Sequence, residues 1–300
     1  MTLSVKVGGL KLRNPFILAS GILSHGSLLK RAAGAGAGAV VTKSLTLEPR
    51  EGYPTPALVA FEGGFVNAMG LPNPGCEEYL RTDLPLAKEG KVPVIVSLAG
   101  SHEGEFERMA VLAADAGADA LELNLSCPHA EKRGLELGQD PAIVRKIVRR
   151  VRSCTSLPIW VKLGLCDSLI DSALACQQEG AQAVVAINTL RSMIIDVDAR
   201  RPTLSNLFGG LSGPALRPVA VRCVFELYEK LSIPIIGSGG VMGWRDAVEF
   251  MLAGAAAVQV GSAVAIKGLQ IFRELCDGLG AYLKKEGFSS PTNLVGLAHR

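Results

Sequence analysis

Several short runs in this chain end aliphatic stretches with side chains suited to chemistry. Asn124-Leu125-Ser126-Cys127-Pro128-His129 brings together an amide, a hydroxyl, a thiol and an imidazole. A thiol on a loop among polar neighbours is placed to work as a base or nucleophile. Cys154, Cys176 and Cys223 read instead as inert buried thiols. His129 is a solvated loop residue, a substrate donor or a thiolate partner. Lys43 in Thr42-Lys43-Ser44 and Lys162 after Trp160-Val161 follow aliphatic runs, as do Asn188 and Thr189. Such lysines either form salt bridges or stabilise negative charge developing on a bound ring, which preorganised cations do well in a dry site. Gly237-Ser238-Gly239-Gly240, Gly261-Ser262 and Gly209-Gly210-Leu211-Ser212-Gly213 are either ordinary tight turns or places where backbone N–H groups approach a phosphate.

The elements that must position these residues follow from two recurring patterns. Helical stretches end in a small-residue turn and enter an aliphatic strand at Gly36-Ala37, Gly117-Ala118, Gly180-Ala181 and Gly254-Ala255. There glycine serves as the left-handed helix cap. Proline followed by aliphatics marks a second set of strand entries at Pro15, Pro93, Pro158 and Pro234. Interleaved, the patterns predict strands near 15–20, 38–44, 93–99, 120–126, 158–164, 183–189, 234–239 and 257–262. Helices are expected over 103–116, 141–153, 168–179, 214–231 and 244–252. Asp140 is placed to cap the second of these, with Pro141 in its first turn. On that helix Arg145, Arg149, Arg150 and Arg152 lie opposite Val144, Ile147, Val148 and Val151 and read as a solvated face. Eight strands alternating with helices predict an α/β fold, a closed (β/α)₈ TIM barrel, over 1–300 as one domain. The stretch 52–75, with Gly63-Gly64 between apolar runs, reads as a β-hairpin inserted after strand two. In such a barrel the site lies at the C-terminal ends of the strands, where the reactive runs fall.

Bulk properties narrow the function. Hydrophobic residues make up 48% of the chain and aromatics 5%, which suits a parallel sheet buried on both faces. A formal charge of +3 gives no case for nucleic acid or an anionic membrane. The seven cysteines are scattered, without a C-x-x-C pair or a metal-like cluster, and read as reduced thiols of a cytoplasmic protein. The first nine residues lack a signal-peptide pattern. Phe250–Ile266, the longest uncharged stretch, contains Gly254, Gln259 and Gly261 and splits into a helix end and a strand rather than a membrane span.

These runs, together with Asn67-Ala68-Met69-Gly70-Leu71-Pro72-Asn73-Pro74-Gly75, resemble the dihydroorotate dehydrogenase family from about residue 4 to residue 265. The cysteine resembles the soluble class of that family; the membrane-bound class uses serine. The resemblance implies that Cys127 removes the C5 proton of dihydroorotate while FMN accepts hydride from C6. Lys43, Asn67, Asn124, Asn188 and Thr189 would hold the substrate, with the backbone N–H groups of Met69, Gly70 and Leu71. The flavin would meet Lys43, Ser44, Asn124, Ile187, Gly213 and Lys162, the last near its N1–C2 edge. Ala19, Ser20, Gly21, Gly239, Gly240, Gly261 and Ser262 would bind its ribityl chain and phosphate, and the hairpin 52–66 would cover the site.

Two departures leave the substrate open. His129 stands where many family members have asparagine, and Gly164-Leu165-Cys166 replaces the usual Ser-Pro-Asn after Leu163. Cys-Pro-His resembles the pyrimidine-reducing domain of dihydropyrimidine dehydrogenase, so uracil or thymine reduction is the alternative. The hairpin and Arg201–Asn206 favour dihydroorotate. A tRNA-dihydrouridine synthase and a non-catalytic barrel subunit fit less well. Asn188-Thr189-Leu190 and the hairpin resemble the heteromeric branch, in which a second subunit carries FAD and an iron–sulfur cluster and reduces NAD. That implies a homodimer or heterotetramer; otherwise a soluble acceptor such as fumarate or a quinone serves.

Overall fold

The computed structural model describes residues 2–126 and 137–299. Its centre is a closed barrel of eight parallel strands: β1 (Phe16–Leu18), β2 (Ala39–Val41), β3 (Val94–Leu98), β4 (Ala120–Asn124), β5 (Ile159–Leu163), β6 (Ala183–Ala186), β7 (Ile235–Ser238) and β8 (Ala255–Val260). Each pairs with its neighbours in sequence, and β8 closes onto β1 through Val258–Phe16 and Val260–Leu18. The chain is therefore a (β/α)₈ TIM barrel, as the two strand-entry patterns predict. The four glycines of the recurring turn, Gly36, Gly117, Gly180 and Gly254, all have φ between 81° and 122°. A side chain there would strain the backbone, so glycine at these positions ends each helix and admits the next strand.

Among the described residues, eight helices follow the strands in order: α1 (Gly26–Gly34), α2 (Cys76–Lys88), α3 (Glu103–Asp115), α4 (Pro141–Cys154), α5 (Leu169–Gln178), α6 (Arg217–Tyr228), α7 (Trp244–Leu252) and the short α8 (Ser262–Lys267). A ninth, α9 (Ile271–Lys285), packs on α7. On α4 the Asp140 carboxylate accepts from the Ala142 N–H at 2.8 Å, and Val144, Ile147, Val148 and Val151 are fully buried. Its arginines face outward but also tie helices together: Arg145 and Arg149 pair with Glu179 beyond α5, and Arg150 pairs with Glu107 of α3. The helix expected over 214–231 is split. A 3-10 turn, Pro214–Leu216, precedes α6, and α6 stops at Tyr228.

An antiparallel pair, Val5–Val7 with Leu10–Leu12, plugs the N-terminal end of the barrel. It packs Val5, Val7 and Leu12 onto the inward side chains Ile17, Ile95 and Trp160, and the Trp160 indole N–H donates to Gly8 O at 2.8 Å. Burying each such aliphatic side chain contributes about 1.5–3 kcal/mol. The packing closes this end and leaves the opposite one for the site.

Over the C-terminal end lies a four-stranded sheet. The expected hairpin is present as strands Leu58–Phe61 and Gly64–Asn67. Its inner strand pairs with Gly209–Ser212, which pairs in turn with Leu190–Ser192. Gly209–Ser212 is therefore a strand, whereas the sequence suggests only a glycine turn before a helix. The glycines are needed because the backbone lies close to its neighbours: a Cβ on Gly209 would fall 2.8 Å from Asn67 O, and one on Gly210 would collide with Thr189 Oγ1.

Candidate active site

The strand ends open into a cavity of about 520 Å³ beneath that sheet. Ala19, Ser20 and Gly21 line it after β1, Lys43 and Ser44 after β2, and Asn124 and Ser126 at the end of β4. Lys162 enters from β5, and Ile187, Asn188 and Thr189 follow β6. Gly239 and Gly240 follow β7, and Gly261 and Ser262 follow β8. Asn67, Met69, Gly70, Leu71 and Gly213 complete the lining from above. All sequence-derived candidates among the described residues thus share one cavity. Cys127, and with it His129, lies outside the described residues.

Polar side chains on the barrel floor form a continuous network. The Ser20 and Ser44 hydroxyls are 3.1 Å apart, and Ser44 and Ser97 are 2.9 Å apart. Asn124 donates to Ser44 Oγ at 3.1 Å and accepts from the Ser126 hydroxyl at 2.8 Å; the Asn188 amide donates to Ser126 Oγ. Deeper in the barrel, Lys162 Nζ donates to Gln259 Oε1 at 2.8 Å, and Gln259 Nε2 donates to Glu122 Oε2 at 2.5 Å. Lys162, Gln259 and Glu122 are 5%, 1% and 0% exposed. Buried this far, polar groups are tolerated because each finds a partner.

Sequence reasoning missed Gln259, Glu122, Tyr53, Arg191 and Phe208, and it gave Ser126 no role. All but Glu122 line the cavity. A signal for two of them exists: Glu122 in Ala-Leu-Glu-Leu-Asn and Gln259 in Ala-Val-Gln-Val interrupt strands that are otherwise aliphatic. Arg191 stacks its guanidinium 4.3 Å from the centre of the Phe208 ring at the cavity mouth.

The upper wall is shaped by a left-handed turn. Gly70 has φ 73° and Leu71 φ 58°, the latter an unusual conformation for a leucine. Met69 O accepts from the Tyr53 N–H at 3.0 Å, and Gly70 O accepts from Arg50 Nε at 3.4 Å. In a trans peptide the N–H points away from the preceding carbonyl. With both carbonyls engaged by Tyr53 and Arg50, the Gly70 and Leu71 N–H groups point away from those partners.

The charged residues among the described lining are Lys43, Lys162 and Arg191, all cations. The floor of glycine turns suits a phosphate. Gly239 and Gly240 have φ 130° and 76°, and a Cβ on Gly240 would come 2.7 Å from Gly213 O and 2.9 Å from the Arg217 N. Among the described residues, no cluster of His, Cys, Asp or Glu is placed to hold a metal ion.

No described cysteine lines the cavity. Burial pushes the thiols of Cys154, Cys176 and Cys223 up, and it takes Cys76 to about 12 with help from Glu77. They are held away from the thiolate form. Two of the described histidines have structural uses: His102 caps α3 by accepting from the Gly104 N–H, and His299 stacks on Phe225 at 3.7 Å. Among the described residues, no helix is long and apolar enough to cross a membrane.

Fold and cavity together define a TIM barrel with a pocket at the C-terminal ends of its strands, lined among the described residues by three cations and several glycine turns. The sequence model of the family described as "Dihydroorotate dehydrogenase" matches residues 2–283, and the chain belongs to that family. Over its whole length the chain is 48% identical to the "Dihydroorotate dehydrogenase B (NAD(+)), catalytic subunit" of Methanocella arvoryzae, covering 99% of that protein. The protein of the same description from Pyrococcus furiosus is also 48% identical, with both chains fully covered. That of Methanosarcina mazei is 47% identical over 97% of this chain and 93% of its own.

Proposed function

We propose that the chain oxidises dihydroorotate to orotate in pyrimidine biosynthesis, using noncovalently bound FMN and Cys127 as the general base. The observation that carries this reading is the convergence of Lys43, Asn67, Asn124 and Asn188 on a cavity whose far side is a cradle of backbone glycines. The residues present fit FMN. The Gly239-Gly240 turn and Gly261-Ser262 line the cavity with backbone whose N–H groups would hold its phosphate. The cavity volume falls in the range of about 300–1,000 Å³ usual for small-molecule sites. When bound, FMN supplies the two-electron acceptor for the hydride leaving C6 of the substrate.

The chain's own groups do the rest. Between them the asparagine amides offer donors and acceptors to a pyrimidine edge. Lys43 and the N–H groups of Gly70 and Leu71 meet the carboxylate. Lys162, which lines the cavity, would stabilise the negative charge that reduction puts on the flavin. Cys127 follows directly on Ser126, which lines the cavity, and its thiolate takes the C5 proton onto Sγ. Uracil or thymine reduction is not favoured, since the relatives compared above are named dihydroorotate dehydrogenases.

Those relatives are named catalytic subunits of NAD(+)-linked enzymes, which supports a partner subunit here too. We infer that it carries FAD and an iron–sulfur cluster and passes electrons to NAD. Efficient NAD reduction by the isolated chain would remove that subunit from the scheme. The test of the reaction is anaerobic: dihydroorotate should bleach the flavin of the yellow protein. Cys127→Ala should keep its FMN and bleach at least about a hundredfold more slowly, the usual scale of general-base catalysis. Colourless protein that FMN does not reconstitute, or wild-type bleaching by the variant, overturns the assignment.

A further inference from the structure

Glu122 touches neither the cavity nor any group assigned a role above, yet it lies at the root of the network beneath the site. It is fully buried on β4, two residues before Asn124 and so on the same face of the strand. Its two oxygens take separate donors, Gln259 Nε2 at 2.5 Å on Oε2 and Ser97 Oγ at 3.4 Å on Oε1.

A carboxylate accepts at both oxygens, and that fixes the direction of every bond leading away from it. On one side the Gln259 amide gives its N–H to Glu122 and so turns its oxygen to Lys162, which donates at 2.8 Å. The ammonium and the carboxylate are thus linked through a neutral amide instead of touching. Lys162 keeps its remaining protons for the cavity it lines, while its counter-charge stays in the barrel.

On the other side Ser97 has a single proton and spends it on Glu122. The 2.9 Å contact between Ser97 and Ser44 must then run from Ser44 to Ser97. Ser44, its proton used, accepts from Ser20 and from Asn124 Nδ2, each at 3.1 Å. The Asn124 amide is thereby oriented nitrogen down and oxygen up, where Oδ1 accepts from Ser126 and lies 3.5 Å from Asn188 Nδ2.

We propose that Glu122 is a positioning residue that sets, from beneath, the donor–acceptor direction on both sides of the pocket: through Gln259 to Lys162, and through Ser97 and Ser44 to Asn124. The probes rest on the functional reading above, FMN contacting Lys162 and orotate contacting Asn124. Glu122→Gln keeps the shape and removes both the charge and the one-way acceptor. Lys162 then lacks its counter-charge, and an uncompensated cation favours the more negative, reduced flavin.

The two-electron potential of bound FMN should rise, with the preference for reduced over oxidised flavin increasing at least about tenfold, roughly 30 mV. Orotate affinity should fall at least about tenfold. A merely structural defect would weaken both flavin forms alike and leave the potential where it was. Glu122→Asp, which restores the charge, should bring the potential back towards wild type. Ser97→Ala cuts only the serine arm and leaves the Lys162 counter-charge in place; it should weaken orotate binding and shift the potential far less than Glu122→Gln, and it decides the matter if Glu122→Gln does not fold. An unchanged or lowered potential in Glu122→Gln, or unaltered orotate binding in Ser97→Ala, overturns the inference. Wild-type chain that takes up no FMN overturns the functional reading, and this inference with it; wild type that binds FMN beside an unaltered Glu122→Gln overturns this inference alone.

Discussion

The Asn67 side-chain amide donates to the Gly210 carbonyl at 3.3 Å, joining the inserted hairpin to a strand 143 residues further along the chain. The bond uses the nitrogen side of Asn67 to hold the sheet over the cavity. Asn67→Ala removes both the tether and a polar partner of the substrate. Orotate binding should weaken by roughly five- to 150-fold, corresponding to about 1–3 kcal/mol for a polar group left unpaired. FMN affinity should change far less, because the glycine cradle lies elsewhere in the cavity. Isothermal titration with each ligand measures both. Equal losses for orotate and FMN would show that the residue only supports the fold.

Gly240 tests the cradle. At φ 76° an alanine is strained by about 1–2 kcal/mol, and its Cβ would meet Gly213 O at 2.7 Å and Arg217 Cβ at 2.8 Å. Gly240→Ala should purify with much less FMN than wild type and melt at a lower temperature. Its dissociation constant for FMN, read from the quenching of flavin fluorescence, should rise more than tenfold. Full retention of FMN by this variant would place the phosphate elsewhere.

Glu179 makes a prediction about acid stability. The Arg149 guanidinium holds it at 2.7 and 2.9 Å and Arg145 at 3.0 Å. Hydrogen bonding to Arg149, with Arg145 assisting, lowers its carboxyl from an ordinary 4.5 to about 2. A depressed folded-state value means that the stabilisation is fully present above about 4.5 and is lost as pH falls towards 2. Glu179→Gln should therefore be less stable than wild type near pH 7, and the gap should close between pH 4.5 and 2. Urea unfolding across that range measures it; a gap independent of pH would assign the stabilisation to packing.

The barrel was legible because its punctuation is local. Prolines at strand entries and glycines with positive φ at helix ends mark the strands whatever lies far away in the chain, and a lysine or asparagine ending an aliphatic run stands out. What the sequence hides is non-local or lacks a signature. Glu122 and Gln259 acquire meaning only when strands 137 residues apart bring them together. Gly209–Ser212 has low intrinsic strand preference and becomes a strand by pairing with the hairpin. Helix α2 runs through Pro85, which breaks the pattern that would announce it. The cis peptide between Ala186 and Ile187 involves no proline and has no sequence marker.

Substrate choice turns on one functional group. Dihydroorotate carries a carboxylate at C6 that dihydrouracil lacks, and a carboxylate leaving water must meet cations or several N–H donors. The cavity offers Lys43, Lys162 and Arg191 with no acidic residue among its described lining. The Met69 and Gly70 carbonyls are taken by Tyr53 and Arg50, and the next N–H groups point away from those partners. A site built for a charged group rejects the analogue without it, since each abandoned donor costs about 1–3 kcal/mol. At equal concentration dihydroorotate should therefore reduce the flavin at least about tenfold faster than dihydrouracil. The advantage should shrink in a Lys43→Met variant that still holds FMN. Stopped-flow absorbance of the oxidised flavin under anaerobic conditions gives both rates. If dihydrouracil proved the better reductant, or if the reduced enzyme hydrogenated uracil and left orotate untouched, the pocket would have to be reassigned to pyrimidine reduction.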